Sequence, residues 1–232
     1  MATPGIFVLS TQGLPAGLIR LAAAAGVQLD AMAFIRTEPL ALGDWPGGAT
    51  IAVFTSQHAV EALSAAGPDW TVFCLEGATR KLAEERFGPA IVAGTASSAA
   101  ELAEVIIGAC AKDSDIDEGG GKQVVFFCGD RRREELPALL RQAGFRVEER
   151  IVYRTLLTPH RLEREYAGIA FFSPSAVESF FSVNTINPRT ALFAIGRTTA
   201  AAVQARTGKE AILSSRPDRE VLIHEMITYF KV

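Results

Sequence analysis

Two stretches of this chain set small hydroxyl-bearing residues at the same point of nearly the same phrase. VFTSQHAVEAL, residues 53–63, returns as AFFSPSAVESF, residues 170–180, with Ser56 and Ser173 in register 117 positions apart and Ala-Val-Glu following in both. In each copy an apolar run ends in hydroxyl side chains, Thr55 and Ser56 or Ser173 and Ser175, and a helical segment begins. Hydroxyls and unpaired amides at such junctions hydrogen-bond anionic groups. Helix capping accounts for any one of these serines taken alone, and Ser175 with Glu178 reads as a capping box.

A second echo follows each copy: FCLEGATRKL at 73–82 and FAIGRTTAAAV at 193–203, each a strand, a glycine, and a helix opened by Thr79 or by Thr198 and Thr199. The glycine either lets the backbone approach a ligand or turns the chain. Stability does not require serine or threonine at every such edge, so four hydroxyl-bearing strand ends in two similar pairs point to function. Between the echoes, FFCGDRRREELPALLRQAGFRVEERIVYRT spans 126–155. Its strand ends at Gly129, Asp130 is placed to cap the next helix, and Arg131, Arg132 and Arg133 fall in the first helical turn. The helix dipole disfavours cations there, which favours an anion-binding role over a purely solvated one, although consecutive helical positions point different ways and leave at least one or two of the three as solvated surface. Tyr153 lies in a long strand, and its hydroxyl either faces a ligand or tips a packed ring.

The elements that must position these residues are those of an α/β protein. Short Val-, Ile- and Phe-rich runs alternate with Ala/Leu/Glu/Arg segments of helical period, the pattern of parallel sheets. Strands are expected near 6–10, 27–36, 51–54, 71–75, 90–93, 123–128, 145–155, 168–172, 190–194 and 210–213. A helix is expected over 98–111, with Leu102, Ala103, Ile106, Ile107 and Cys110 on one face and Ser98 with Glu101 as its capping box. Ten strands exceed what one open sheet of a 232-residue chain holds, and the echo implies two sheets built alike. KDSDIDEGGGK, 112–122, reads as a loop, since its glycines precede a strand and so cannot form a phosphate loop.

Composition narrows the function. Apolar residues make up 49% and charged residues 21%, the balance of a globular protein, and the net charge of -3 offers no general attraction to nucleic acid or an anionic membrane. The cysteines Cys74, Cys110 and Cys128 are odd in number and sit in apolar runs, which points to reduced thiols and a cytoplasmic location. His58, His160 and His224 are too scattered for a metal site, so no metal or other cofactor is expected. The N-terminus lacks the pattern of a signal peptide and no apolar run reaches membrane-spanning length.

Taken together, FTSQHAVEAL, GATRKL, SSAAEL (97–102), the spacing G-x3-R-x2-L-x3-L-x3-G from Gly129 to Gly144 with Tyr153 beyond, FFSPSAVESF and IGRTTAAAV resemble the uroporphyrinogen-III synthase family, in order and from end to end. The resemblance implies two similar parallel-sheet α/β domains joined by a two-stranded connection, with the active site in a cleft between them: residues 1–36 plus 154–232 as one discontinuous domain, 37–153 as the other. It implies a monomer and, as substrate, hydroxymethylbilane, a linear tetrapyrrole with acetate and propionate arms. Loss of its terminal hydroxyl leaves an azafulvene, attack by the substituted carbon of ring D gives a spiro intermediate, and reopening and reclosure invert that ring. The bilane also closes unaided to the uninverted isomer, so the protein chiefly imposes geometry.

On this reading Tyr153 is a neutral donor that helps the hydroxyl leave. Thr55, Ser56, Arg80, Ser98, Gly129, Arg133, Ser173, Ser175, Thr198 and Thr199 hold the carboxylate arms with nearby amides. The chain departs from the family pattern in two places. STQGLP (10–15) stands where many members have an arginine, which leaves Thr11 without a clear role; Arg80 holds the position usually taken by threonine, with Thr79 one earlier. The alternative from another class is a non-catalytic cytoplasmic clamp or sensor for an anionic small molecule.

Overall fold

The computed structural model describes residues 5–41, 50–67, 69–111 and 122–231. Along the described residues run eleven strands: β1 (Ile6–Ser10), β2 (Val27–Ala31), β3 (Ile35–Pro39), β4 (Thr50–Phe54), β5 (Trp70–Leu75), β6 (Val92–Ala96), β7 (Gln123–Gly129), β8 (Arg146–Leu157), β9 (Gly168–Phe171), β10 (Ala191–Ala194) and β11 (Ile212–Leu213). Between them lie the helices α1 (Ala16–Ala24), α2 (Gln57–Glu61), α3 (Ala78–Phe87), α4 (Ala99–Cys110), α5 (Glu135–Gln142), α6 (Pro174–Phe181), α7 (Arg197–Thr207) and α8 (Arg219–Phe230).

The strands form two sheets, one of order β11-β10-β9-β1-β2 and one of order β3-β8-β7-β4-β5-β6. The described pairs within the five-stranded sheet, and those among β4 to β8, are parallel. The chain divides into two compact units, Met1–Arg36 with Leu156–Val232 and Thr37–Thr155, so the chain passes from one to the other within β3 and within β8. These two strands are neighbours in the sheet and bonded by Leu40 N to Val152 O at 2.9 Å.

In each unit the sheet is buried on both faces, which is why its strands read as near-continuous apolar runs. In the six-stranded sheet, Phe54, Val72 and Phe127 face a core shared with Ala59, Val60 and Ala83 of α2 and α3. Val53, Phe73 and Phe126 face the other core, shared with Leu102, Ile106, Leu136 and Leu140 of α4 and α5. The helices therefore change face at β4, between β4 and β7. In the five-stranded sheet, Val8 and Phe193 pack on the side of α1 and α8, and Leu9 and Phe171 on the side of Val177, Phe180 and Val203 from α6 and α7. There the change of face lies between β1 and β9. In open parallel sheets such a switch point opens a crevice at the carboxyl ends of the two strands.

The structure corrects several expectations. The run 27–36 is two strands in different sheets: the fully buried ring of Phe34 fills a core, and Met32 N and Phe34 N bond to Ser10 O and Thr11 O past the end of β1. Apolar content alone does not distinguish such a plug from a strand. The start of 90–93 is a 3-10 turn, Pro89–Ile91, ahead of β6. The loop expected at 112–122 lies outside the described residues except for Lys122, whose Nζ donates to Cys110 O at 2.7 Å. No helix among the described residues is long and apolar enough to cross a membrane.

Candidate functional site

The sequence echo is a structural one. β4-α2-β5-α3-β6 and β9-α6-β10-α7-β11 are both three-strand runs that start at a switch point and continue outward on one side of it. Ser56 and Ser173 occupy equivalent places as the caps of α2 and α6. Each is extended, and its Oγ accepts an amide, from His58 N at 3.2 Å and from Ala176 N at 3.1 Å. Capping is thus part of what both serines do. It is also why Ser175 is not the cap: Pro174, with its preset φ and no N–H, takes the first helical position and leaves Ser175 half-buried inside α6.

In the unit containing Thr37–Thr155 the expected residues gather at the switch point. Tyr153 stands on β8, two strands away from β4, yet its hydroxyl donates to Ser56 Oγ at 3.3 Å. Two strand spacings come to about 10 Å, so the ring must lie across β7 to make this bond. It can do so because the residue beneath it is Gly129: a Cβ there would stand 2.5 Å from Tyr153 Cζ and 2.8 Å from its hydroxyl oxygen. The register shift at Cys128 and Gly129 brings Gly129 opposite Tyr153. His58 closes the third side, its ring 5.7 Å from that of Tyr153 at 64°. Burial pushes the Tyr153 phenol above the ordinary tyrosine value, and the Ser56 hydrogen bond opposes that shift only in part. The phenol is therefore a neutral donor at neutral pH. Thr55 is half-buried at the end of β4.

The arginines do not stand where the helical reading put them. The helix α5 starts at Glu135, so Arg131, Arg132 and Arg133 are exposed in the turn before it and the dipole argument does not apply to them. Arg132 pairs with Glu149 and Glu134, and Arg141 bridges the same two carboxylates, an arrangement that four-residue helical periodicity cannot reveal. Asp130 caps no helix; its Oδ1 accepts from Thr155 N at 2.9 Å and so ties the end of β7 to β8.

Further along the same sheet edge, α3 opens at Gly77 with no side-chain cap, which leaves first-turn amides pointing outward. Gly77 has φ +75, a conformation that favours glycine, so the turn itself explains this residue. Arg80 is bound through Nε to Glu84 at 2.7 Å, one helical turn on, and is half-exposed. Thr79 is buried. Ser98 caps α4 by accepting from Glu101 N at 3.3 Å, but the return bond of a capping box is displaced by one residue: Glu101 accepts from Ser97 N and Oγ. Beside it a hollow is rimmed by Glu76, Glu101 and Glu104, a lining that repels carboxylates.

In the unit containing Leu156–Val232 the equivalent edge carries Ser173, and α7 opens at Gly196 with no side-chain cap. Gly196 is extended, a conformation open to any residue, and nothing lies within 4 Å of where a Cβ would be, so open space adjoins these amides. Thr198 is exposed and Thr199 buried. At the switch point itself sits Thr11, whose N and Oγ1 both donate to Ala170 O, at 3.0 and 2.8 Å. The sequence assigns Thr11 no clear role. Its signal was faint, a lone hydroxyl after a strand, and its partner is 159 positions away. A separate hollow of about 600 Å³, lined in part by Arg161, Tyr166, Asn184 and Thr190, lies at the amino ends of β9 and β10, the edge opposite the switch point.

Comparison with known proteins bears on the family and the fold. The family model described as uroporphyrinogen-III synthase HemD matches residues 17–224. A crystal structure of uroporphyrinogen-III synthetase from Helicobacter pylori superposes with a TM-score of 0.70 at 16% identity, over 97% of this chain and 99% of that one. A mutant uroporphyrinogen III synthase from the extremely thermophilic bacterium Thermus thermophilus gives 0.61 at 17%, over 97% and 98%. At these identities the likeness is one of fold. A comparison with curated proteins gave no match.

Proposed function

The chain belongs to the uroporphyrinogen-III synthase family, and from that premise we propose that its polar strand ends impose ring inversion on hydroxymethylbilane, with Tyr153 as the donor to the leaving hydroxyl. The reaction class is that of a cyclising lyase: the bilane loses water and closes to uroporphyrinogen III, a step of tetrapyrrole biosynthesis. Departure of the hydroxyl consumes a proton, and closure at the free α-carbon of ring D returns one, so the cycle is balanced in protons. A tyrosine phenol is neutral at pH 7 with an ordinary pKa of about 10, and burial pushes this one further up, which suits the first of these transfers.

The observation that carries the assignment is the placement of Tyr153 over Gly129, with its hydroxyl at Ser56 and the switch-point end of β4. For the carboxylate arms we assign Thr55, Ser56, Arg133, Ser173, Ser175 and Thr198, together with the amides that open α3 and α7, which have no side-chain cap; Thr199, at 2% exposure, is enclosed in its own unit and drops out of the set. Arg80, already paired with Glu84, and Ser98, beside an acidic hollow, are the weakest of the residues the sequence nominated. We further propose that the protein acts in the cytoplasm as a monomer.

The test is to supply hydroxymethylbilane and separate the products by isomer. Excess type III over the spontaneous mixture supports ring inversion by this chain, and a Tyr153→Phe enzyme with unchanged turnover removes the donor assignment. A clamp or sensor would bind the bilane and leave the spontaneous isomer mixture unaltered.

A further inference from the structure

The imidazole of His58, packed against Tyr153, has a bonded partner of its own. His58 is the second residue of α2, and its Nδ1 lies 2.7 Å from Glu61 Oε2. An ionised carboxylate only accepts, so Nδ1 carries the proton and the tautomer is fixed. The end of α2 is held from the next helix, since Arg86 Nη1 donates to the backbone carbonyls of Glu61 at 2.9 Å and Leu63 at 2.6 Å. No group among the described residues bonds His58 Nε2. The imidazole is thus clamped at one end and packed across Tyr153 in a T-shaped contact with centroids 5.7 Å apart.

Such a clamp has a purpose if the phenol must not swing. The Tyr153 hydroxyl is held by one bond of 3.3 Å, at the long end of the range, and a glycine beneath the ring offers no lateral wall. The imidazole supplies one wall, beside the core cluster against which the ring also packs. We propose that His58, oriented by Glu61, is a positioning residue that keeps the Tyr153 hydroxyl aligned for its work on the substrate. The inference rests on the assignment of Tyr153 made above.

The test is a double-mutant cycle in kcat and KM with hydroxymethylbilane, read together with the fraction of type III product. His58→Asn keeps a donor for Glu61 and deletes the ring; it is expected to lower kcat about tenfold, with KM within twofold, as a misplaced catalytic group does. Glu61→Gln keeps the ring and weakens its anchor, with a loss of about threefold expected, and His58→Phe, which restores an aromatic wall, is expected to recover most of the activity lost in His58→Asn. In a Tyr153→Phe background His58→Asn should change kcat by less than twofold, because the group it positions is gone. An equal loss in both backgrounds, or wild-type kcat in His58→Asn, overturns the positioning role while leaving Tyr153 as donor. Wild-type kcat in Tyr153→Phe alone overturns both. Should His58→Asn fail to fold, Glu61→Gln and its combination with Tyr153→Phe carry the same comparison.

Discussion

Replacing Gly129 with alanine isolates the geometry on which the donor assignment depends. The added Cβ would stand 2.5 Å from Tyr153 Cζ and 2.6 Å from Cε2. Carbon atoms in contact prefer about 3.5–4.0 Å, so the ring must retreat by about 1 Å. Its hydroxyl starts 3.3 Å from Ser56 Oγ, already at the long end of the range, so a retreat of that size weakens the bond and displaces the hydroxyl. The atoms that clash are the far end of a side chain rather than backbone, so the cost in stability is modest, about 1–2 kcal/mol, near the low end of overpacking. That corresponds to a fall of roughly 2–8 °C in melting temperature for a chain of this size. The cost in catalysis is larger, since a 1 Å misplacement of a reacting group is worth about 100-fold in rate. Single-turnover kinetics with hydroxymethylbilane and isomer analysis of the product measure both effects: turnover should fall far more than the melting temperature suggests, and the type I fraction should rise toward the spontaneous mixture. A Gly129→Ala protein with wild-type turnover and isomer purity would refute the reasoning, because Tyr153 would then work equally well displaced.

Four further outcomes follow from the same structure. Ser56→Ala removes both a helix cap and the acceptor of Tyr153, so it should cost about 1 kcal/mol in denaturant unfolding and lower kcat as well. Thr11→Val should cost about 1 kcal/mol through loss of its bond to Ala170 O, with kcat unchanged. In thiol labelling at pH 8, Cys110 should react first, because burial pushes the fully enclosed Cys74 and Cys128 up to about 11 and keeps both protonated. The same two thiols have folded pKa values above the unfolded 9.0, so their contribution to stability is intact below pH 9 and lost as pH rises toward about 11; equal denaturation midpoints at pH 8 and 10.5 would contradict this.

The local consequences of the chain were readable in the sequence. Val-, Ile- and Phe-rich runs announced parallel strands because a sheet buried on both faces needs apolar residues at successive positions, and the repeated phrase announced two sheets of like build. Ser56 and Ser173 are caps because a serine before a helix finds its amide within three residues, a contact that depends on neighbours in the chain. Tertiary structure decided everything that depends on which strand lies beside which. The pairing of Tyr153 with Ser56 spans 97 positions, and Gly129 owes its identity to a ring that arrives from the adjacent strand. Asp130 bonds Thr155 rather than its own helix, and Arg132 bonds Glu149, because strand adjacency places those partners closer than the helical turn the sequence suggested. Periodicity encodes which face a residue presents, whereas the order of strands in a sheet is fixed by burial summed over the whole unit, and no short window of sequence contains that sum.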